Sequence, residues 1–236
     1  MMTLPIEHKD IQALHYQLVH QSIKTIACVG VTPEVGTTSI AYALARRFAA
    51  SGSRTLLIDL DRLHQTISVQ LACPRQDWTP ETVLETDSIK SMGRTGLSIL
   101  SAPSSVSLHW SFKERNLFEE MFHKLKQKYD MIIIDAGAVI DTREKTVPAE
   151  IVSSASDVCL PILLSGQTNE TDIIKTQKIL KDHGSTIQGY VMNDYKNPPL
   201  SEELERTLQR FIAVSPRLVD KCAQRVKSSS LLSQRF

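Results

Sequence analysis

Oxygen-bearing side chains stand at three separate points of this chain, each directly after an apolar run. Pro33, Gly36, Thr37, Thr38 and Ser39 follow Thr25-Ile26-Ala27-Cys28-Val29, Asp59 and Asp61 follow Leu56-Leu57-Ile58, and Asp135 follows Met131-Ile132-Ile133-Ile134. Hydroxyls, carboxylates and a glycine-bearing turn are the groups that hold phosphate and a divalent metal. Backbone N–H groups cradle the anion, and hydroxyl and carboxylate oxygens suit Mg²⁺. Residues 29–39 (VGVTPEVGTTS) lie where a phosphate-binding loop belongs, between a strand-like run and a helix-like run from Ile40 to Ala50. Such a loop usually ends Gly-Lys-Ser/Thr. Here it ends Gly36-Thr37-Thr38, without the lysine.

The elements that must position these residues are legible in the apolar pattern. Strands are expected over Lys24–Val31, Arg54–Leu60, Gly96–Ser101, Tyr129–Asp135, Asp157–Leu164 and Ile187–Asn193. Helices are expected over residues 6–21, Thr38–Ala50, Leu117–Lys128, Glu170–His183, Glu202–Ile212 and Pro216–Lys227. Ser51-Gly52-Ser53 and Gly184 are helix stops. Strands that are apolar throughout and alternate with helices imply an α/β fold, a mostly parallel sheet covered by helices on both faces. Loops after the C-terminal ends of such strands form the ligand crevice, and all three oxygen-rich points fall there. Cys73 to Thr95 reads as an irregular excursion with one short helix near Pro80–Leu84. A domain over 1–195, including the N-terminal helix, is expected to be followed by a helical tail over 196–236.

Composition excludes several classes. With 236 residues, 42% hydrophobic and 22% charged, the chain is long enough for one well-packed domain and is not disordered. Its net charge of +1 gives no general field for nucleic acid, so none is expected as a partner. No membrane span and no signal peptide are expected. Cys28, Cys73, Cys159 and Cys222 lack metal-ligand spacing and read as reduced, mostly buried small hydrophobes, which implies a cytoplasmic setting. The histidines show no ligand spacing. Arg217, Lys221 and Arg225 form a basic stripe that reads as a solvated helix face, with a membrane surface or a partner as the sharper alternative.

In this order and spacing, the pieces resemble the Min/Par-like branch of the P-loop NTPases. Within it, the chain looks most like the cytoplasmic domain of bacterial tyrosine kinases of capsule and exopolysaccharide export. The residues that carry the likeness are Lys24-Thr25-Ile26, Pro33, Gly36 and Thr38, Leu57-Ile58-Asp59-Leu60-Asp61-Arg62, Tyr129 to Asp135, and Ile187-Gln188-Gly189-Tyr190-Val191-Met192-Asn193. The resemblance implies ATP and Mg²⁺ as cofactors. It puts Pro33, Gly36, Thr37, Thr38 and Ser39 at the phosphates and Asn193 at the base. It gives Thr38, Asp59 and Asp135 to Mg²⁺, and Asp59 and Asp61 to catalysis.

Departures from that family bear on the chemistry. Thr37 replaces the lysine that bridges the β- and γ-phosphates, and loss of such a preorganised charge costs on the order of 100-fold in rate. Glu34 stands where the family has glycine, which adds a side chain and a negative charge to the cradle. Lys24, at the far end of the strand, cannot substitute. The tail Ser228–Phe236 has no tyrosine cluster, and no arginine-bearing oligomerisation motif is evident in Asp10–His20. The reading this favours is a degenerate kinase-like regulator or scaffold of exopolysaccharide export, leaning away from an enzyme. It would partner a membrane-embedded chain-length regulator or synthase component at the inner face of the cell membrane, with homo-oligomers open. Two alternatives stand: an active Mg-ATPase or tyrosine kinase with an atypical loop, and a Min/Par-like positioning protein.

Overall fold

The computed structural model describes residues 4–61, 66–104, 110–141 and 147–195. The expected helices beyond 195, the basic stripe and Cys222 lie outside them. The chain divides into two compact units, one of Met1–Leu163 with Thr168–Val191, the other of Leu164–Gln167 with the chain from Met192 onward.

Seven strands build the sheet: β1 (Thr25–Gly30), β2 (Thr55–Asp59), β3 (Ile89–Ser91), β4 (Leu97–Leu100), β5 (Met131–Ala138), β6 (Val158–Leu164) and β7 (Val191–Asn193). Their order is β3-β4-β2-β5-β1-β6-β7. β1, β2, β4, β5 and β6 pair in parallel, and β3 joins β4 antiparallel, at the edge. Every residue of β1, β2 and β6 is buried, as expected of strands covered on both faces.

Alternation sorts the side chains. On one face Ala27, Val29, Leu56, Ile58, Ile132 and Ile134 join a core with Phe118, Phe122 and Leu125 of α4 (Arg115–Leu125) and Val152 of α5 (Ala149–Ala155). The opposite set, Ile26, Cys28, Leu57, Asp59, Ile133 and Asp135, belongs to the face covered by α2 (Thr37–Ala50), which buries Ile40, Leu44 and Phe48. The first helix, α1 (Lys9–Val19), packs on α2: His15 meets the Phe48 ring edge-on at 4.5 Å and its Nε2 lies 3.1 Å from Ser51 Oγ. Burial, with Arg47 and His20 nearby, lowers the His15 pKa.

Two expectations need correction. Pro80–Leu84 forms turns rather than a helix. The strand foreseen over Ile187–Asn193 shrinks to Val191–Asn193, with Ile187 making one isolated bridge to Cys159. Asp59 is the buried last residue of β2, within the strand expected over Arg54–Leu60. Short elements went unforeseen: α3 (Thr66–Gln70), β3 and α5. The remaining helix of the first unit, α6 (Glu170–Asp182), matches its expected span. Cys28, Cys73 and Cys159 are free and buried.

A carboxylate anchors the entry of β1. Asp157 accepts from the N–H groups of Lys24 and Thr25 at 2.8 and 2.9 Å and pairs with Lys126 at 2.6 Å. Burial works to raise its pKa, but the Lys126 hydrogen bond and the two N–H bonds outweigh it and hold the carboxyl below its usual range. Its stabilisation is therefore present above the ordinary carboxylate pKa and lost as pH falls through the lowered one. Asp157→Ala is expected to cost about 2 kcal/mol near neutrality, with the deficit shrinking in acid. Urea titrations at neutral and acid pH check it.

Candidate functional site

The loop between β1 and α2 owes its shape to two residues with positive φ. Glu34 has φ 63° and Gly36 has φ 91°. Glycine adopts that region freely, but a side-chain-bearing residue there is strained by about 1–2 kcal/mol. The backbone at 34 thus holds a conformation that glycine adopts freely, while the residue carries a side chain. Glu34→Gly is accordingly expected to stabilise the chain by about 1 kcal/mol. This reverses the usual effect of adding glycine, and guanidinium unfolding measures it.

Gly30 fixes the base of the loop. A Cβ there would lie 2.8 Å from Thr37 Oγ1 and 2.9 Å from the Thr32 carbonyl oxygen. The Thr37 hydroxyl therefore packs over Gly30, and the residue is only 9% exposed. A lysine at this point would send an ammonium into the cavity, whereas threonine carries a short neutral hydroxyl. Gly36 caps α2, and the Ile40 N–H donates to the Gly36 carbonyl at 3.2 Å. The first amides of α2 and the positive end of its dipole meet the cavity through Gly36, Thr37, Thr38 and Ser39.

That cavity, of about 310 Å³, brings together most of the expected residues: Pro33, Gly36, Thr37, Thr38, Ser39, Asp61 and Asp135. Thr32 of the same loop and Gly137 after Asp135 line it too, as do Thr66 and Asp141, which were missed by sequence reasoning. Asp141 could have been noticed as a carboxylate soon after Asp135. Thr66 opens α3, a helix too short to show periodicity. Asn193 belongs to the other unit, where it closes β7; its carbonyl accepts from Ser165 N–H at 2.8 Å and its side-chain oxygen from Tyr195 N–H at 3.1 Å.

Electrostatics centres on two buried carboxylates. Asp59 and Asp135 are in register on neighbouring strands, 1% and 0% exposed. Burial first, then the Asp135 charge, pushes the Asp59 carboxyl well above the usual range. The N–H of Asp61, which donates to Asp59 Oδ1 at 2.9 Å, and the more distant Arg75 charge pull the other way without prevailing. Cys28 is in register with Asp135 on the other side, and burial and that charge raise its thiol too. Such a site stores negative charge that a cation would relieve.

Asp61, Asp135, the Thr38 hydroxyl and the first N–H groups of α2 suit a Mg²⁺-bound phosphate, which needs only a few protein oxygens beside water and phosphate, whereas Asp59 does not line the cavity. Among the described residues no cluster of three or more His, Cys, Asp or Glu side chains forms a metal cage. Glu34 and Thr37 line the same cavity, one adding a carboxylate to it and the other a neutral hydroxyl.

A family described as AAA domain matches residues 23–188. The chain is 27% identical over 196 residues to tyrosine-protein kinase CpsD of Streptococcus pneumoniae serotype 4, covering 79% of this chain and 83% of CpsD. It is 25% identical over 186 residues to tyrosine-protein kinase ptk of Acinetobacter johnsonii, covering 77% of this chain but 25% of ptk, so it spans about a quarter of that relative's length. Among solved structures, the VpsO kinase domain matches with TM-score 0.65 and 22% identity, over 77% of this chain and 90% of that one. The septum site-determining protein MinD complexed with Mg-ADP, from Pyrococcus horikoshii OT3, matches with TM-score 0.58 and 23% identity, over 74% and 72%. The fold is that of Min/Par-like P-loop NTPases and of these kinase domains.

Proposed function

The chain belongs to the AAA domain family, and on that premise we propose that it is a tyrosine-kinase-like regulator or scaffold of exopolysaccharide biosynthesis and export whose phosphate loop no longer transfers phosphate. One observation carries this reading. The loop holds Glu34 at φ 63° in a glycine conformation, and Thr37 packs its hydroxyl over Gly30 where an ammonium is needed. Phosphoryl transfer depends almost wholly on positioning and charge neutralisation, so a neutral cradle with an added carboxylate loses most of both. Nucleotide binding through the N–H groups of the loop and Thr38 survives that loss.

Kinase relatives such as CpsD support the pathway and the setting. The chain would bind a membrane-embedded chain-length regulator or synthase component from the inner face of the membrane. Among the described residues no helix is long and apolar enough to cross a membrane. The reading is tested in the native host by comparing polymer output with the unaltered chain, with no chain, and with Asp59→Asn. A scaffold predicts that output falls without the chain and is preserved with Asp59→Asn; equal loss in both would overturn it.

A second reading, an active Mg-ATPase completed by a cation from another copy of the chain, draws on the grouping of Thr38, Asp61 and Asp135 around one cavity. It requires dimerisation that depends on Mg-ATP. Light scattering that shows the same mass with and without Mg-ATP removes it.

A further inference from the structure

A second groove, of about 410 Å³, lies at the opposite end of α2 from the phosphate loop. Tyr42, Arg46, Ala49 and Ala50 of α2 form one wall. Ile6, ahead of α1, and Met92, Thr95 and Leu97, around the start of β4, complete it. Strands β2 and β4 are parallel, so this is the N-terminal edge of the sheet, whereas the phosphate loop occupies the C-terminal edge. Along α2, the middle of the stretch that walls this groove (Tyr42–Ala50) lies ~12 Å from the middle of the stretch that meets the other cavity (Thr37–Ser39).

The lining has a clear chemical polarity. Among the described residues that line it, Arg46 is the charged side chain and none is a carboxylate. The guanidinium stands over the Tyr42 ring, 5.5 Å from its centre, one helical turn away. That stacking holds the cation in place before any ligand arrives. Among the described residues Arg46 makes no ion pair. Around it the walls are aliphatic or thioether: Ile6, Ala49, Met92 and Leu97. Methionine adapts to tails of varied shape. The volume falls within the range of small-molecule sites, mostly apolar with a few fixed polar groups.

We propose that this groove binds an amphiphilic anion: one acidic head group with an aliphatic or aromatic tail. Arg46 receives the head, assisted by the Thr95 hydroxyl, and Ile6, Met92 and Leu97 cover the tail. A neutral molecule of the same shape would leave the cation without its counter-charge, and a small inorganic anion would leave the apolar walls wet. The head and tail could come from a free carboxylate or from an anionic lipid lifted from a bilayer surface, and both present the same chemistry. The site does not depend on the reading given for the phosphate loop.

The test uses the full chain with sodium octanoate as probe and octanol as its neutral counterpart, followed by calorimetry and by the Met92 methyl resonance. Saturable octanoate binding is expected, weakened at least about tenfold by Arg46→Gln, with octanol binding far more weakly. Ala50→Trp, at an exposed wall position, should block octanoate without lowering the melting temperature. Vesicles of phosphatidylglycerol or phosphatidylcholine separate the sources. Capture by the former that Arg46→Gln abolishes assigns the ligand to lipid; octanoate binding without capture assigns it to a free acid. No saturable octanoate binding, equal binding of octanol, or unchanged binding in Arg46→Gln would overturn the proposal.

Discussion

Installing Glu34→Gly and Thr37→Lys together is expected to raise ATP turnover at saturating Mg²⁺ by on the order of 100-fold or more over the unaltered chain. On the proposed reading, each change reverses a separate departure. At position 34 the backbone already has the φ of 63° that glycine takes without strain, so the substitution removes a carboxylate from the cradle and leaves its shape intact. At position 37 the side chain lines the cavity at the start of α2, so a longer stem places an ammonium among the phosphate-binding N–H groups. The two residues line the same cavity, so their effects should be coupled rather than additive. Steady-state phosphate release from the two single variants and the double variant measures this. A double variant no faster than the unaltered chain would mean that the loop is not what limits the chemistry.

Asp59→Asn is expected to raise the melting temperature by several degrees at pH 8. Asp59 lies buried in register with Asp135, and its pKa is raised by burial and by that neighbouring charge. A carboxyl with a raised folded-state pKa is fully tolerated below its unfolded-state pKa. It costs stability progressively as pH climbs toward and through the raised one. The unaltered chain should therefore lose stability between pH 5 and pH 8. An asparagine side chain has nearly the same shape without the charge, so the substitution should flatten that slope. Millimolar Mg²⁺ should stabilise the unaltered chain at pH 8 and have little effect on Asp59→Asn, since binding to the folded state alone adds stability by mass action. Differential scanning calorimetry across pH, with and without Mg²⁺, reads all three. Equal melting temperatures and equal slopes would mean that Asp59 shares no uncompensated charge with its neighbour.

What the sequence made legible follows from which forces are local. Fully apolar runs such as Met131–Ile134 declared β5 and its neighbours, because a strand covered on both faces needs no polar alternation. The loop after β1 was legible from Gly36 and the hydroxyls beyond it. That Glu34 adopts a left-handed backbone was not, because the surrounding fold imposes the conformation against the residue's own preference. Asp59 and Asp61 both stand at the end of one apolar run, yet one is buried in β2 and the other is partly open. Only the register with β5 decides which of them meets Asp135. Short elements such as α3 and β3 escaped because five or three residues cannot display a period. The Arg46 groove escaped for another reason: it joins residues from Ile6 to Leu97 that only the folded chain assembles.

ATP hydrolysis by the unaltered chain with Mg²⁺, measured beside Asp59→Ala, is the most direct test of a phosphate loop that has lost transfer. A loop that keeps its cavity but lacks the charge for transfer predicts turnover no greater than that of the variant. Turnover in the ordinary enzymatic range, roughly one per second or faster, and abolished by Asp59→Ala, would contradict it.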